Sequence, residues 1–262
     1  MAAALLVFGG WFLNTPAGLL GKADAIGYAV CHRISERSFH IGSYQLPLCA
    51  RCSGMYLGAM TGLVFQSLIG WKRSKIPHWS ILAVLALFVV AFGIDGANSY
   101  LYLLKQVSPG ILPNLPNLYV PNNTLRLMTG SGMGLGMAIM LYPAFNQTVW
   151  AVGEDKPALP GWKAFGLLVG IQVIFDLLVL TGSPIVLYPL AIISAVGVWL
   201  LLIIVYSMVW VMIMGQDNHF VKLWQLWLPF LAGLTIAMIQ TAGIDALRFW
   251  ITGTWGAFPL TK

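Results

Sequence analysis

The chain has 262 residues, of which 59% are hydrophobic and only 8% are Asp, Glu, Lys or Arg, with a formal net charge of +6. Soluble domains carry about a quarter charged residues, so this chain cannot cover a water-facing surface and must have lipid as part of its solvent. The positive charge does not point to nucleic acid, because the cations sit in short connectors and at helix ends rather than in a basic stripe interleaved with aromatics.

The length accommodates about seven apolar spans of roughly 20 residues and leaves no room for a soluble domain. The expected architecture is therefore all-α: one polytopic transmembrane helix bundle over residues 1–262. The first apolar stretch, Ala2 to Leu20, is interrupted at Asn14-Thr15-Pro16. It has no basic n-region and no A-x-A-like site, so it reads as a short first membrane helix rather than a cleaved signal. Lys22 to Val30 reads as an interfacial helix, and Cys31 to Cys52 as a polar loop between spans one and two. The second span, Ser53 to Gly70, carries Gly54, Gly58 and Gly62 on a close-packing face.

Span three is Ile81 to Leu104, and a Pro- and Asn-rich loop, 108–123, follows it. Span four, Thr124 to Pro143, contains Gly130, Gly132, Gly134 and Gly136, a spacing for tight helix contact. Spans five to seven are Trp162 to Leu180, Leu187 to Met214 and Leu226 to Ile251, with Trp255 and Phe258 just beyond. Alternating connectors place Lys72, Arg73, Lys75, Lys156, Lys163 and Lys222 on one face. Lys22, Arg33, Arg37, Arg51, Lys105 and Lys262 fall on the other, a tie by count. If the three arginines of the 31–52 loop serve chemistry instead of topology, the first face is cytoplasmic and the loop extracytoplasmic.

All three cysteines lie in that loop, as C-H-x16-C-x-x-C. A C-x-x-C knuckle sets two thiolates on one metal, and a third Cys with one His completes a tetrahedral zinc shell. The predicted ligands are Cys31, Cys49, Cys52 and His40, with His32 as the alternative fourth, and a shell closed in this way would be structural. Two other readings remain open: a Cys49–Cys52 disulfide or redox pair, and three unrelated thiols.

The runs Cys31-His32-Arg33, Arg37-Ser38-Phe39 and Gln45 to Gly58 (QLPLCARCSGMYLG) resemble the signature of a family of predicted bacterial and archaeal membrane proteins catalogued as a domain of unknown function. Asp95 and the run Leu125 to Gly130 (LRLMTG) resemble it too. The resemblance covers the first half of the chain and implies a shared membrane fold and polar site, in a bacterial or archaeal plasma membrane. It implies no reaction.

Asp95, Asp176, Asp245 and Arg248 fall within apolar stretches, and Arg126 opens span four. A charge at the centre of a membrane helix costs at least about 2.5–3.5 kcal/mol, so these groups should face one another or a watery cavity. By alternation, all three aspartates lie toward the loop's side of the membrane. Asp95, Arg126, Asp176 and Asp245 are thus the catalytic candidates, and Arg33, Arg37 and Arg51 are candidates for holding an anion, since guanidinium forks fit phosphate and carboxylate. The plainer expectation is two buried ion pairs, Asp95–Arg126 and Asp245–Arg248, with Gln172 and Gln240 in interhelical hydrogen bonds. The leading functional reading is a membrane-embedded enzyme acting on a lipidic or anionic substrate. An ion-coupled transporter and a non-catalytic subunit of a larger membrane complex are the alternatives.

Overall fold

A computed structural model describes residues 2–108, 110 and 114–256, so Phe258 and Lys262 lie outside the described residues. Among the described residues, eight α-helices carry the fold: α1 (Ala2–Asn14), α2 (Gly18–Val30), α3 (Ala50–Ile69), α4 (Trp79–Val107), α5 (Asn123–Val149), α6 (Trp162–Leu180), α7 (Pro184–Ile213) and α8 (Trp227–Thr252). Five of them (α3, α4, α6, α7 and the 223–252 stretch containing α8) are long and apolar enough to cross a membrane, and the α1–α2 pair would make a sixth if it is one broken span. Helix α5 is also long, at 27 residues. It is less apolar because glycines and small polar residues replace larger side chains along its buried face. The first apolar stretch is thus two 13-residue helices bent by 110° at the Asn14-Thr15-Pro16 break. Each is only about 20 Å long, short of the roughly 30 Å hydrocarbon layer.

Helices α3 and α5 form the centre, and glycine lets their backbones touch. A Cβ on Gly54 would lie 2.2 Å from the Leu127 carbonyl oxygen, and one on Gly134 would lie 2.0 Å from that of Met55. Gly132 instead faces Phe88 of α4, and Gly136 faces open space. Helix α4 packs on α5, α7 on α3 and α8, and α1 on α8, while α2 crosses α7 and α8.

The connectors sort into two faces. On one, β3 (Arg73–Lys75) runs parallel to β4 (Glu154–Pro157), and Trp150 bridges to Phe220. On the other, the 31–49 segment folds into an antiparallel hairpin of β1 (Ser38–Ile41) and β2 (Tyr44–Cys49), which turns at Gly42 with φ +60°. The hairpin lies against α2 so closely that a Cβ on Gly27 would meet the Pro47 carbonyl at 2.0 Å.

Candidate metal centre

Three element ends deliver the three cysteines. Cys31 caps the C-terminus of α2, Cys49 is both the last residue of β2 and the N-cap of α3, and Cys52 lies in the first turn of α3. Their sulfur atoms all lie within 4.8 Å of one another, and all three thiols are free. Arg33 adopts a left-handed backbone (φ 54°), and its N–H donates to Cys31 Sγ at 3.5 Å. The Cys49 N–H donates to the same sulfur at 3.3 Å. The positive end of α3 lets one sulfur of the group, that of Cys49, carry negative charge at low cost, while the two amide donors fix Cys31 Sγ in place. The Cys49 thiol is held well below its usual range, first by hydrogen bonds from Cys31 and Cys52, and Cys31 is pushed up to about 12 by its bond to Cys49.

The group fits a thiophilic ion. Zinc at about 2.3 Å from each sulfur of a tetrahedral shell separates the sulfurs by roughly 3.8 Å, within the spread seen here. Neither candidate histidine belongs to the group. His40 is exposed on β1, and its Nε2 lies 3.1 Å from Ser35 Oγ. A bulge between Ser38 and His40 offsets that side chain from the buried Ser38, which pairs with Cys49. His32 is exposed beside Cys31. Tyr56, one turn beyond Cys52 on α3, packs against the same core as the cysteines. Sequence reasoning passed over it, although the i,i+4 spacing from Cys52 carried the signal.

The charged residues form separate networks around this centre. Asp95, 1% exposed, pairs with Arg51 and not with Arg126; it also accepts from the Tyr119 hydroxyl at 2.7 Å. Burial, and then that bond, push the Tyr119 hydroxyl up to about 12. Arg51 reaches Ser99 Oγ at 3.2 Å as well, and Arg37 donates to the Ser99 carbonyl at 3.0 Å. Arg126 donates to Asn123 Oδ1 at 2.9 Å, and its buried Nε has no partner. Among the described residues, neither Arg37 nor Arg126 has a carboxylate at ion-pair distance. Arg33, by contrast, is neutralised by Asp24 at 2.8 Å.

Asp176 accepts from Ser131 Oγ at 2.6 Å and from Gln172 Nε2 at 3.0 Å, deep between α5 and α6. Asp245 accepts from Trp11 Nε1 at 2.8 Å. Arg248 turns to the backbone of the cysteine loop, donating to the carbonyls of Tyr28, Cys31 and His32. Gln172 and Gln240 do make interhelical bonds, Gln172 to Ser131 on α5 and Gln240 to Tyr206 on α7.

Residues 31–140 match the family described as "Predicted membrane protein (DUF2085)". The chain is 32% identical over 111 residues to an uncharacterized protein of Methanothermobacter thermautotrophicus, covering 42% of this chain and 83% of that one. It is 25% identical over 128 residues to an uncharacterized protein of Methanocaldococcus jannaschii, covering 48% of this chain and 70% of that one. No solved structure matches. The family match includes the three cysteines, Arg51, Asp95 and Arg126, and ends before Asp176 and Asp245.

Proposed function

The chain belongs to the DUF2085 family of predicted membrane proteins, and on that premise we propose that Cys31, Cys49 and Cys52 hold one zinc ion beside an anion site at one face of the membrane. The observation that carries this is the convergence of all three sulfurs within 4.8 Å. A Cys49–Cys52 disulfide with a bystander thiol would give Cys31 no reason to join them, nor two backbone donors to aim at its sulfur. The fourth zinc position is filled from outside the three-thiol group, by a water or substrate atom, or by His40 or His32 after a turn of the loop. An open position supplies Lewis-acid chemistry, whereas a histidine closing the shell makes the ion a brace for the hairpin.

The anion site is formed by Arg37 and Arg126. Both are guanidinium groups without a carboxylate partner among the described residues, and Arg126 lies in the first turn of α5, where the helix N-terminus adds positive potential. Arg51, tied to Asp95, positions the pair instead of binding ligand. An anionic amphiphile, with its charged head at this face and its tail among the helices, is the substrate class that suits such a site. The charges buried in the bundle are gathered toward this face, while the buried amides of the opposite half, Gln66 and Asn146, are neutral and bonded to backbone carbonyls. That favours a one-sided enzyme site over a transport path. With the arginines of the cysteine loop assigned to the site and not to topology, Lys72, Lys75 and Lys156 of the opposite face favour an extracytoplasmic cysteine loop.

Elemental mass spectrometry of the purified full-length protein tests the zinc assignment. About one zinc per chain is expected, lost in Cys31→Ser, Cys49→Ser and Cys52→Ser. Retention in a His32→Ala/His40→Ala double variant would remove both histidines from the fourth position. A metal-free wild type lighter by two hydrogens than the reduced chain would establish the disulfide and end the zinc reading.

A further inference from the structure

A cavity of 720 Å³ lies between α1 and α8, and none of the three cysteines lines it. Its walls are mainly aromatic, with Trp11, Phe249, Trp250 and Trp255, and Asn14 also lines it. Asp245 is the single charged residue lining it. That carboxylate is 2% exposed; one oxygen accepts from Trp11 Nε1, and the other, Oδ1, has no partner. The nearby cations direct their donors elsewhere: Lys22 to the carbonyls of Phe12 and Thr15 and the Thr15 hydroxyl, and Arg248, whose charge still acts on Asp245, to the carbonyls of Tyr28 and Cys31.

We infer that this cavity binds an organic ammonium group, with Asp245 as its counter-ion and the indole rings as its walls. Aromatic faces attract a desolvated cation through their quadrupole, and Trp does so best. A metal cation fits poorly, because hard ions need about six oxygen ligands and these walls offer mostly carbon. Thr15 Oγ1 is also committed, to the Trp11 carbonyl at 2.9 Å. The volume falls in the range of small-molecule sites. Asp245 lies eight residues before the Gly253 cap of α8, about 12 Å along the helix from that end. An ammonium head can reach that depth from the adjoining leaflet or from water, so both an aminophospholipid headgroup and a free amine have the required chemistry.

The test uses the full-length protein in nanodiscs of phosphatidylglycerol alone, titrated with tetramethylammonium and, separately, ethylammonium, with sodium as the ionic-strength control. Tryptophan emission is the readout. A saturable change with at least one ammonium ion and none with sodium is expected, weakened roughly tenfold or more in Asp245→Asn. The Asn variant keeps an oxygen for Trp11 and so retains the local packing. Trp250→Leu, at a residue 82% exposed, weakens binding about threefold. Repeating the titration with phosphatidylethanolamine in the disc separates the sources: loss of the response means that the lipid headgroup occupies the site, and an unchanged response means a free amine. No saturable response to either ion in phosphatidylglycerol discs, or equal responses in wild type and Asp245→Asn, would overturn the inference.

Discussion

The two faces of the bundle use charge in opposite ways. At the cysteine face the ion pairs are sequestered: Arg51 with Asp95 and Arg33 with Asp24 hold side chains from different elements, and the carboxylate of Asp95 is almost wholly removed from solvent. At the opposite face, Lys75–Asp155 and Lys156–Glu154 are exposed pairs between or within short connectors. Buried pairs are costly to break because the orphaned partner stays desolvated, whereas exposed pairs exchange their partners for water. Charge at the first face specifies structure, and at the second it marks topology and solubility.

The sharpest way to break this contrast is to part the helices that carry the cysteine face. Gly130→Val places a Cβ 2.1 Å from the Arg51 carbonyl and Gly134→Val places one 2.0 Å from that of Met55, so α3 and α5 must separate and folded yield is lost. Gly136→Val, where a Cβ meets nothing within 4 Å, should leave yield and thermal stability nearly unchanged. Equal losses in all three would mean that the crossing is not as close as described.

A smaller effect follows from removing one member of the buried pair. Arg51→Met strands Asp95 and should destabilise by about 3–5 kcal/mol, while Arg51→Met with Asp95→Leu should recover most of the loss. Thermal unfolding in detergent reads both; a double variant as unstable as the single one would show that Asp95 has further obligatory partners. Smallest of all, Lys75→Ala at the opposite face should change stability by no more than about 1 kcal/mol. Glu154 there is held below the ordinary carboxylate range, first by Lys156 and then by Arg73. The contribution of a carboxylate shifted in this direction is present above its unfolded value, about 4.3, and is lost as pH falls through the lower folded value. The melting difference between wild type and Glu154→Gln should therefore be small at neutral pH and disappear in acid; a difference that grows in acid would reverse the sign.

How much was legible depended on whether the information was local. Helix α6 ends where Thr181-Gly182 follows its apolar run, and both of its bounds are readable from the sequence alone. The start of α3 at Ala50 is three residues earlier than the apolar pattern indicates, because the C-x-x-C is itself the first helical turn and its polarity hides the boundary. The three cysteines could be grouped from spacing, but the position of His40 could not. A single bulge in β1 decides which way that side chain points, and nothing in the 38–41 run announces it.

Composition and the period of apolar residues determined that this is a membrane bundle, because burying some twenty uncharged residues in sequence has few other outcomes. Residue spacing likewise grouped the three thiols, although the structure carries them on the ends of three elements. Only the tertiary structure decided that Arg51 and not Arg126 neutralises Asp95, that Arg248 braces the loop backbone, and that Asp245 opens into an aromatic cavity. Pairing between helices depends on their rotation and crossing, set here by the glycine contact of α3 with α5 and by the bend between α1 and α2, and neither is a property of any one stretch of sequence.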